Sequence, residues 1–169
     1  PSDGVWYMLR SSLGYHAVQW GTNGDKPVNR DFDGDGKSDI AVFRPSNGYW
    51  YIYNSSNGTA SYIYWGLSND KLVPADYDGD GKADVAIWRP STSEWAILKS
   101  TGGSIVGFYF GLNGDIPTPG DYDADGKADI SIWRPSNGEW VIYQSSNQTY
   151  AYATFGVSGD IPVPSAFVR

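Results

Sequence analysis

Short apolar and aromatic segments alternate with polar turns along the chain, and no stretch shows the 3.6-residue period of an amphipathic helix. Residues 40–44, 85–89 and 130–134 are rich in β-branched and aromatic side chains, and each segment stops at a proline. This pattern predicts one strand in each segment. The polar turns SNG, STS and SNG then lead into YWYIY, EWAIL and EWVIY, which are predicted as second strands.

A third set of strands is predicted in SYIYW, SIVGFYF and TYAYATF, each of which follows another polar turn. The segments DKLVP and DIPTP are candidates for a fourth strand. The whole pattern recurs every 45 residues, which is the size of a four-stranded propeller blade. The sequence therefore predicts an all-β fold, a β-propeller of about four blade repeats in a single domain over residues 1–169. The repeat units are approximately 20–64, 65–109 and 110–154, with an incomplete unit formed by 155–169 plus 1–19.

One aspartate-rich loop, DxDxDGKxD, precedes the first strand of each unit and begins at Asp31, Asp76 and Asp121. Calcium takes six to eight oxygen ligands, and alternate side chains of a tightly turned loop can converge on such an ion. We assign the aspartates at loop positions 1, 3, 5 and 9 as side-chain ligands and the lysine carbonyl at position 7 as a backbone ligand. These residues are Asp31, Asp33, Asp35, Lys37 and Asp39; Asp76, Asp78, Asp80, Lys82 and Asp84; and Asp121, Asp123, Asp125, Lys127 and Asp129. The prediction is about three Ca²⁺ ions per chain.

The loop differs from an EF-hand, which needs a glutamate at position 12 and flanking helices. Position 12 is Val42, Ile87 or Ile132 here, so the ninth residue closes the predicted coordination shell just before a strand. The third loop has Ala124 where the others have glycine, and a positive φ at that position would strain the third site.

A fourth loop is missing from the repeat pattern. Residues 165–169 fall where it would begin, and Ala166 and Val168 stand in place of its first two aspartates. Two interpretations follow: residues 159–169 and 4–20 form a shared closing blade, or the chain is a piece of a larger propeller that completes a ring by homo-oligomerisation.

The composition and charge of the chain limit the classes of partner that it can bind. The chain has no cysteine and a formal charge of −7, which argues against a zinc–thiolate site, a nucleic-acid partner and an anionic membrane surface. The loops hold 12 of the 19 acidic residues, so three divalent ions would bring the charge to about −1. Calcium sites of extracellular modules bind at about 10⁻⁴–10⁻³ M, so the loops indicate an exported protein. No apolar run is long enough for membrane insertion, and the opening residues do not resemble a signal peptide, which suggests a mature soluble chain.

Other candidate chemistry is weak. His16, the single histidine, has no repeated counterpart, and Glu94 and Glu139 occupy equivalent positions of successive units, where we expect them to face solvent. The arginines that precede the prolines are expected to pair with backbone carbonyls or with repeated aspartates such as Asp70 and Asp115, and binding of an anionic ligand is the alternative. The repeated aromatic positions are assigned to core packing: Trp50, Trp95, Trp140, Phe43, Trp88 and Trp133. The less constrained tyrosines are candidates for an exposed face: Tyr53, Tyr62, Tyr64, Tyr143, Tyr150 and Tyr152.

The units WGLSNDKLVPADYDGDGKADVAIWRPS and FGLNGDIPTPGDYDADGKADISIWRPS resemble the FG-GAP and VCBS repeats of bacterial, integrin-α-like β-propellers. The resemblance covers nearly the whole chain. It implies a propeller with calcium loops at the blade edges, secretion or bacterial cell-surface display, and a role in adhesion or in carbohydrate or protein contact. Residues 161–169 resemble the natural C-terminus of such arrays.

These observations favour a calcium-binding propeller module that is not an enzyme and that mediates contact with an extracellular protein or glycan. A sugar-binding lectin is the first alternative, because exposed aromatic rings stack on sugars. An accessory domain of a secreted polysaccharide-degrading enzyme is the second.

Overall fold

The structure, a computed structural model, describes residues 3–163 and contains only β-strands as regular elements within that range. The strands, numbered in chain order, are β1 (Val5–Arg10), β2 (Gly14–Gln19), β3 (Lys26–Arg30), β4 (Asp39–Arg44), β5 (Tyr49–Tyr53), β6 (Ala60–Tyr64), β7 (Lys71–Leu72), β8 (Val85–Arg89), β9 (Glu94–Leu98), β10 (Ile105–Tyr109), β11 (Ile116–Pro117), β12 (Ile130–Arg134), β13 (Glu139–Tyr143) and β14 (Tyr150–Thr154). The described part has no helix that is long and apolar enough to cross a bilayer.

The chain divides into two compact units, of which the first ends at Ser68 and the second begins at Asn69. The first unit holds the two-stranded sheet β1–β2 and the four-stranded sheet β3–β4–β5–β6. The second unit holds two four-stranded sheets, β7–β8–β9–β10 and β11–β12–β13–β14. All pairings are antiparallel between neighbours in sequence, so each sheet is a simple meander. The all-β, repeated architecture predicted from the sequence is confirmed.

The predicted strand positions agree closely with the structure. Strands β8, β9, β12 and β13 have the predicted bounds, and β4 begins one residue early, at Asp39. The fourth strand exists in each repeat but differs in length. It has five residues in β3 and only two in β7 and β11, where isolated bridges at Ala75 and Gly120 extend the pairing.

The second strand of each four-stranded sheet forms its buried centre. Residues from Asp39 to Phe43 in β4 and from Val85 to Trp88 in β8 are all buried. In β5 and β9 burial alternates along the strand, as expected when only one face of a strand meets the core.

Tryptophans dominate the core. Trp50, Trp88 and Trp95 are fully buried, and Trp133 is 1% exposed. In the second unit, the residues that pack together are Val73, Ala86, Trp88, Trp95, Ile97, Ile132 and Val141. The prediction of core packing is confirmed for five of the six repeated aromatic positions, and Trp140 is half-buried.

The residues that would begin a fourth loop, 165–169, lie outside the described residues. The closing blade, the ring and the single-domain organisation therefore stay predictions. In the described part, β1 pairs with β2 alone.

Candidate metal centres

Three aspartates converge in each loop. One carboxylate oxygen from each member of a triad lies within 4.8 Å of the other two, and the triads are Asp31, Asp33 and Asp39; Asp76, Asp78 and Asp84; and Asp121, Asp123 and Asp129. They correspond to loop positions 1, 3 and 9 of the predicted ligand set. The aspartate at position 9 is buried in every triad, Asp31 is also buried in the first, and the other triad members are partly buried or exposed.

The first aspartate shapes the loop by accepting backbone hydrogen bonds. Asp31 accepts the N–H groups of Gly34 and Gly36 at 2.6 and 2.7 Å. Asp76 makes the same two bonds with Gly79 and Gly81. The donating residues have positive φ, 83° at Gly34 and 81° at Gly36, a conformation that glycine adopts without steric cost.

The aspartate at loop position 9 connects the loop to the sheet through hydrogen bonds. Asp39 accepts the backbone N–H groups of Phe32 and Asp33 through one oxygen and that of Ser55 through the other, the last at 2.7 Å. Burial raises the pKa of Asp39, Asp84 and Asp129, while the backbone N–H donors act in the opposite direction. Neighbouring acids add to the rise, Asp33 beside Asp39 and Asp78 beside Asp84. Each triad thus concentrates negative charge that a cation would offset.

The aspartate at loop position 5 bonds to side chains outside the triad. Asp35 pairs with the Lys37 ammonium at 2.8 Å, and this hydrogen bond lowers the pKa of Asp35. Asp80 accepts hydroxyl hydrogen bonds from Ser100 and Thr101 at 2.7 and 2.6 Å. Asp125 accepts the Ser145 hydroxyl at 2.7 Å.

The assignment of Asp35, Asp80 and Asp125 as ligands, and of the carbonyls of Lys37, Lys82 and Lys127, stays a prediction. The aspartates at position 5 and the lysines at position 7 lie in the same loops, but the carboxylates that lie within 4.8 Å of one another are those of positions 1, 3 and 9.

Hydroxyl residues that sequence reasoning missed support the loops from the turns between strands. Ser56 donates its backbone N–H and its hydroxyl to Asp33 at 3.1 and 2.7 Å, and Ser146 donates its hydroxyl to Asp123 at 2.6 Å. The sequence contains the signal, because the hydroxyl residues Ser56, Thr101 and Ser146 recur at the 45-residue spacing.

One oxygen in the second triad marks it as suited to a cation. Among the described residues, Asp78 Oδ1 is a buried side-chain oxygen that has no hydrogen-bond partner. A buried acceptor without a partner is costly unless an ion or water satisfies it. The triads offer only carboxylate oxygens, the donor type that hard cations such as Ca²⁺ and Mg²⁺ prefer. The residues therefore fit a divalent ion.

The repeated arginines are engaged in ion pairs. Arg89 forms a two-pronged pair with Asp70, at 3.0 Å for both bonds, and also bonds to Glu94 at 2.8 Å. Arg134 makes the matching contacts with Asp115 and Glu139. The predicted arginine–aspartate pairing is confirmed. The two glutamates are half-buried partners of these arginines, so the expectation that they simply face solvent was wrong.

The remaining candidates lie on the surface of the strands. His16 is exposed in β2 opposite Met8. Of the tyrosines predicted to form an exposed face, four are exposed (Tyr62, Tyr64, Tyr150 and Tyr152), and Tyr53 and Tyr143 are partly buried.

Three four-stranded antiparallel sheets, each with an aspartate triad in the loop between its first two strands, define an all-β repeat protein with candidate metal centres. The family model of the FG-GAP-like repeat matches the chain twice, over residues 31–87 and 76–132. The matches together span more than half of the chain, and each includes two complete aspartate loops. The chain belongs to the FG-GAP-like repeat family. Comparisons with curated proteins and with solved structures gave no match.

Proposed function

We propose that this chain is a non-catalytic, calcium-binding β-propeller module that mediates extracellular contact. The observation that carries the calcium part is the unpartnered, buried Asp78 Oδ1 inside a triad of carboxylates. A bound Ca²⁺ would supply the positive charge that this oxygen and its neighbours Asp76 and Asp84 otherwise lack. The same triad recurs in the first and third loops.

The role of the ion is structural. The aspartate at position 9 of each loop also accepts a backbone N–H from a turn of the same sheet. Asp39 accepts that of Ser55, and Asp129 accepts that of Ser145. An ion on the triad would tie the loop, the following strand and that turn together. If free calcium is about tenfold above each dissociation constant, three sites would add roughly 4 kcal/mol to the free energy of unfolding.

Calorimetric titration of the metal-free chain with CaCl₂ tests the proposal. We expect about three ions per chain, a higher melting temperature in calcium than in EDTA, and weaker binding of Mg²⁺, which resists losing its water ligands. The triple variant Asp33→Asn, Asp78→Asn and Asp123→Asn should lose binding, whereas Asp160→Asn, outside the loops, should retain it. An unchanged titration in the triple variant would refute the assignment.

The propeller architecture and its VCBS and integrin-α-like relationship are part of the proposal. A 45-residue repeat that supplies one four-stranded antiparallel meander matches a blade in size and topology. The mass in calcium measured by light scattering separates two assemblies: a monomer favours closure within one chain, and a dimer favours a ring of two chains. An open chain in small-angle scattering, without a compact particle of either mass, would contradict a propeller.

The FG-GAP family favours an extracellular setting, and calcium affinities of about 10⁻⁴–10⁻³ M would leave the loops filled only outside the cytosol. We therefore place the protein at the bacterial cell surface or in the secreted fraction. Protease accessibility on intact cells of the source organism would test this location.

Glycan binding is the second candidate, and one surface favours it. Tyr49, Tyr51, Tyr62 and Tyr64 share one face of β5 and β6, with ring centroids 5.3 Å apart for Tyr49–Tyr64 and 5.5 Å apart for Tyr51–Tyr62. Tyr62 and Tyr64 are 60% and 63% exposed. Flat aromatic faces of this kind pack against the apolar faces of sugar rings.

A glycan array read in calcium tests this candidate, with the double variant Tyr62→Ala and Tyr64→Ala as the matched control. Binding that the double variant loses supports a lectin, and a blank array leaves protein contact as the better assignment. Hydrolysis of any polysaccharide by the purified chain would overturn the non-catalytic proposal, and stimulation of a separate hydrolase would favour the accessory role.

A further inference from the structure

Strand β1 is the counterpart of β5, β9 and β13 in the repeat. Its Trp6 occupies the position of Trp50 and Trp95, and Trp20 occupies that of Trp65 and Phe110 at the end of the next strand. In the four-stranded sheets, the counterpart of β1 lies between two neighbours, β4 and β6 for β5 or β8 and β10 for β9. In the described part, β1 has one neighbour, β2.

The outer edge of β1 is open and apolar. Trp20 donates its backbone N–H to the Gly4 carbonyl at 2.8 Å, so Gly4 and the alternate residues after it bond toward β2. The backbone groups of Val5, Tyr7 and Leu9 then face the other side, where the Val5 N–H donates to the Asp3 carboxylate at 3.1 Å. Tyr7 and Leu9 are 64% and 86% exposed, whereas their counterparts in β5 are partly buried.

An apolar cleft of about 250 Å³ lies beside this edge. Its lining comes from β1, from the corner after β2 and from β3 and β4, and includes Trp6, Trp20, Gly21, Pro27 and Val42. A cavity of about 150 Å³ holds a benzene molecule, so this cleft has room for an indole ring.

Two of the other repeats show a tryptophan side chain at the equivalent position. Gly111 and Gly156 are the counterparts of Gly21. A Cβ added to Gly111 would lie 3.5 Å from Trp88 Cζ2, and one added to Gly156 would lie 3.4 Å from Trp133 Cζ2. Around Gly21 the nearest atoms to such a Cβ belong to Val42 and Asp25. The cleft is thus the seat of a tryptophan from a strand of the β8 and β12 type.

Hydrogen bonding at the corner carbonyl supports the same conclusion. The Phe110 carbonyl accepts the indole N–H groups of both Trp88 and Trp95, each at 3.1 Å. The Phe155 carbonyl accepts those of Trp133 and Trp140 in the same way. The Trp20 carbonyl accepts the Trp6 indole at 3.0 Å, and the second indole position at this carbonyl opens onto the cleft.

We propose that the outer edge of β1 and the adjoining cleft form a strand-acceptor site for an extended segment of the FG-GAP repeat type, with the pattern Ile-x-Ile-Trp-Arg. The segment lies antiparallel to β1 in the register of β12 against β13. Its tryptophan sits opposite Trp6, enters the cleft and donates its indole N–H to the Trp20 carbonyl. Main-chain bonds give this type of strand addition its affinity, and the buried side chain gives it its specificity.

A synthetic peptide with the sequence of residues 127–135, KADISIWRP, tests the site on the full chain. We expect saturable binding in fluorescence anisotropy and slower hydrogen exchange at the amides of Tyr7 and Leu9. The Trp133→Ala peptide should bind at least about tenfold more weakly, because a buried aromatic anchor dominates such an interface.

Two N-methylated peptides provide matched controls for orientation. In β12 the Ser131 carbonyl accepts the backbone N–H of Thr118, the residue that follows β11. Ile132 therefore bonds toward β13 and would face β1 in the complex. N-methylation at Ile132 should weaken binding at least about tenfold, and N-methylation at Ser131 by less than about threefold.

Absence of binding, equal binding by the Trp133→Ala peptide, or equal loss with both N-methylated peptides would overturn the proposal. A dimer of the chain in which the β1 amides are already protected and the peptide does not compete would also overturn it, because the site would then hold a second copy. None of these outcomes depends on calcium, so the strand-acceptor site and the calcium proposal fail separately.

Discussion

The Asp84 carboxylate accepts a hydrogen bond from the backbone N–H of Ser100 at 2.7 Å. Its other oxygen accepts the backbone N–H of Tyr77 at 2.9 Å, and the side chain belongs to the second aspartate triad. A single buried carboxylate thus joins its own loop, the turn between β9 and β10, and the candidate metal centre. Burial raises the pKa of Asp84 despite these donors, so the carboxylate form costs stability unless a cation is present.

Two substitutions at Asp84 should separate the roles of charge and hydrogen bonding. Asp84→Asn loses the charge and keeps one of the two acceptor oxygens, while its NH₂ group faces the other backbone N–H. We therefore expect a loss of about 1–3 kcal/mol in EDTA and about 1.4 kcal/mol more in calcium at tenfold its dissociation constant. Asp84→Ala should lose roughly a further 1–3 kcal/mol in both conditions, because the second backbone N–H also loses its acceptor. Urea unfolding with and without calcium measures both. Equal losses for Asn in EDTA and in calcium would exclude an ion at this triad.

The third loop carries a strained residue that offers a stabilising substitution. Ala124 has a φ of 62° where Gly34 and Gly79 have 83° and 81°, so the positive φ that would strain an alanine is present. The left-handed conformation costs a non-glycine residue about 1–2 kcal/mol. Ala124→Gly removes this cost, but glycine also raises the conformational entropy of the unfolded chain, which offsets part of the gain. We expect Ala124→Gly to raise the free energy of unfolding by about 0.5–1 kcal/mol. The reciprocal change, Gly79→Ala, should lower it, and a destabilised Ala124→Gly would show that the φ is not a source of strain.

Much of this organisation could be predicted from the sequence because it depends on local rules. Prolines at 45, 90 and 135 end the strands before them, and the aspartate spacing brings positions 1, 3 and 9 together. The hydrogen-bond partners of the aspartates at loop position 5 could not be predicted. Asp80 bonds to Ser100 and Thr101, some 20 residues away, and such a contact depends on the register of the sheet. The unpartnered oxygen of Asp78 is likewise a consequence of how the folded loop buries it.

The Asp25–Arg44 pair predicts a pH dependence of stability in the first unit. Burial alone would raise the pKa of Asp25, but hydrogen bonds from Arg44 and Thr22 outweigh it and lower the pKa below its usual 3.8. A lowered pKa in the folded state means that the pair stabilises the fold above about pH 4 and that this contribution is lost as the pH falls through the folded pKa. The difference in free energy of unfolding between the native chain and Asp25→Asn should therefore shrink from pH 6 toward pH 3 in EDTA. A difference that stays constant over this range would contradict the lowered pKa.

The second and third loops touch each other, which predicts coupled calcium binding. Ala128 in the third loop donates its backbone N–H to the Asp76 carbonyl at 2.6 Å, and a Cβ on Gly79 would lie 3.2 Å from Lys127 Cε. An ion that orders one loop therefore lowers the entropic cost of ordering the other, and the effect must be reciprocal. In a double-mutant cycle of Asp78→Asn and Asp123→Asn, we expect an interaction free energy of about 0.5–1 kcal/mol in calcium and a smaller one in EDTA. Asp78 and Asp123 belong to two different triads. Strictly additive losses of calcium-dependent stability would therefore mean that the contact between the loops does not couple the two sites and that each ion stabilises its own sheet alone.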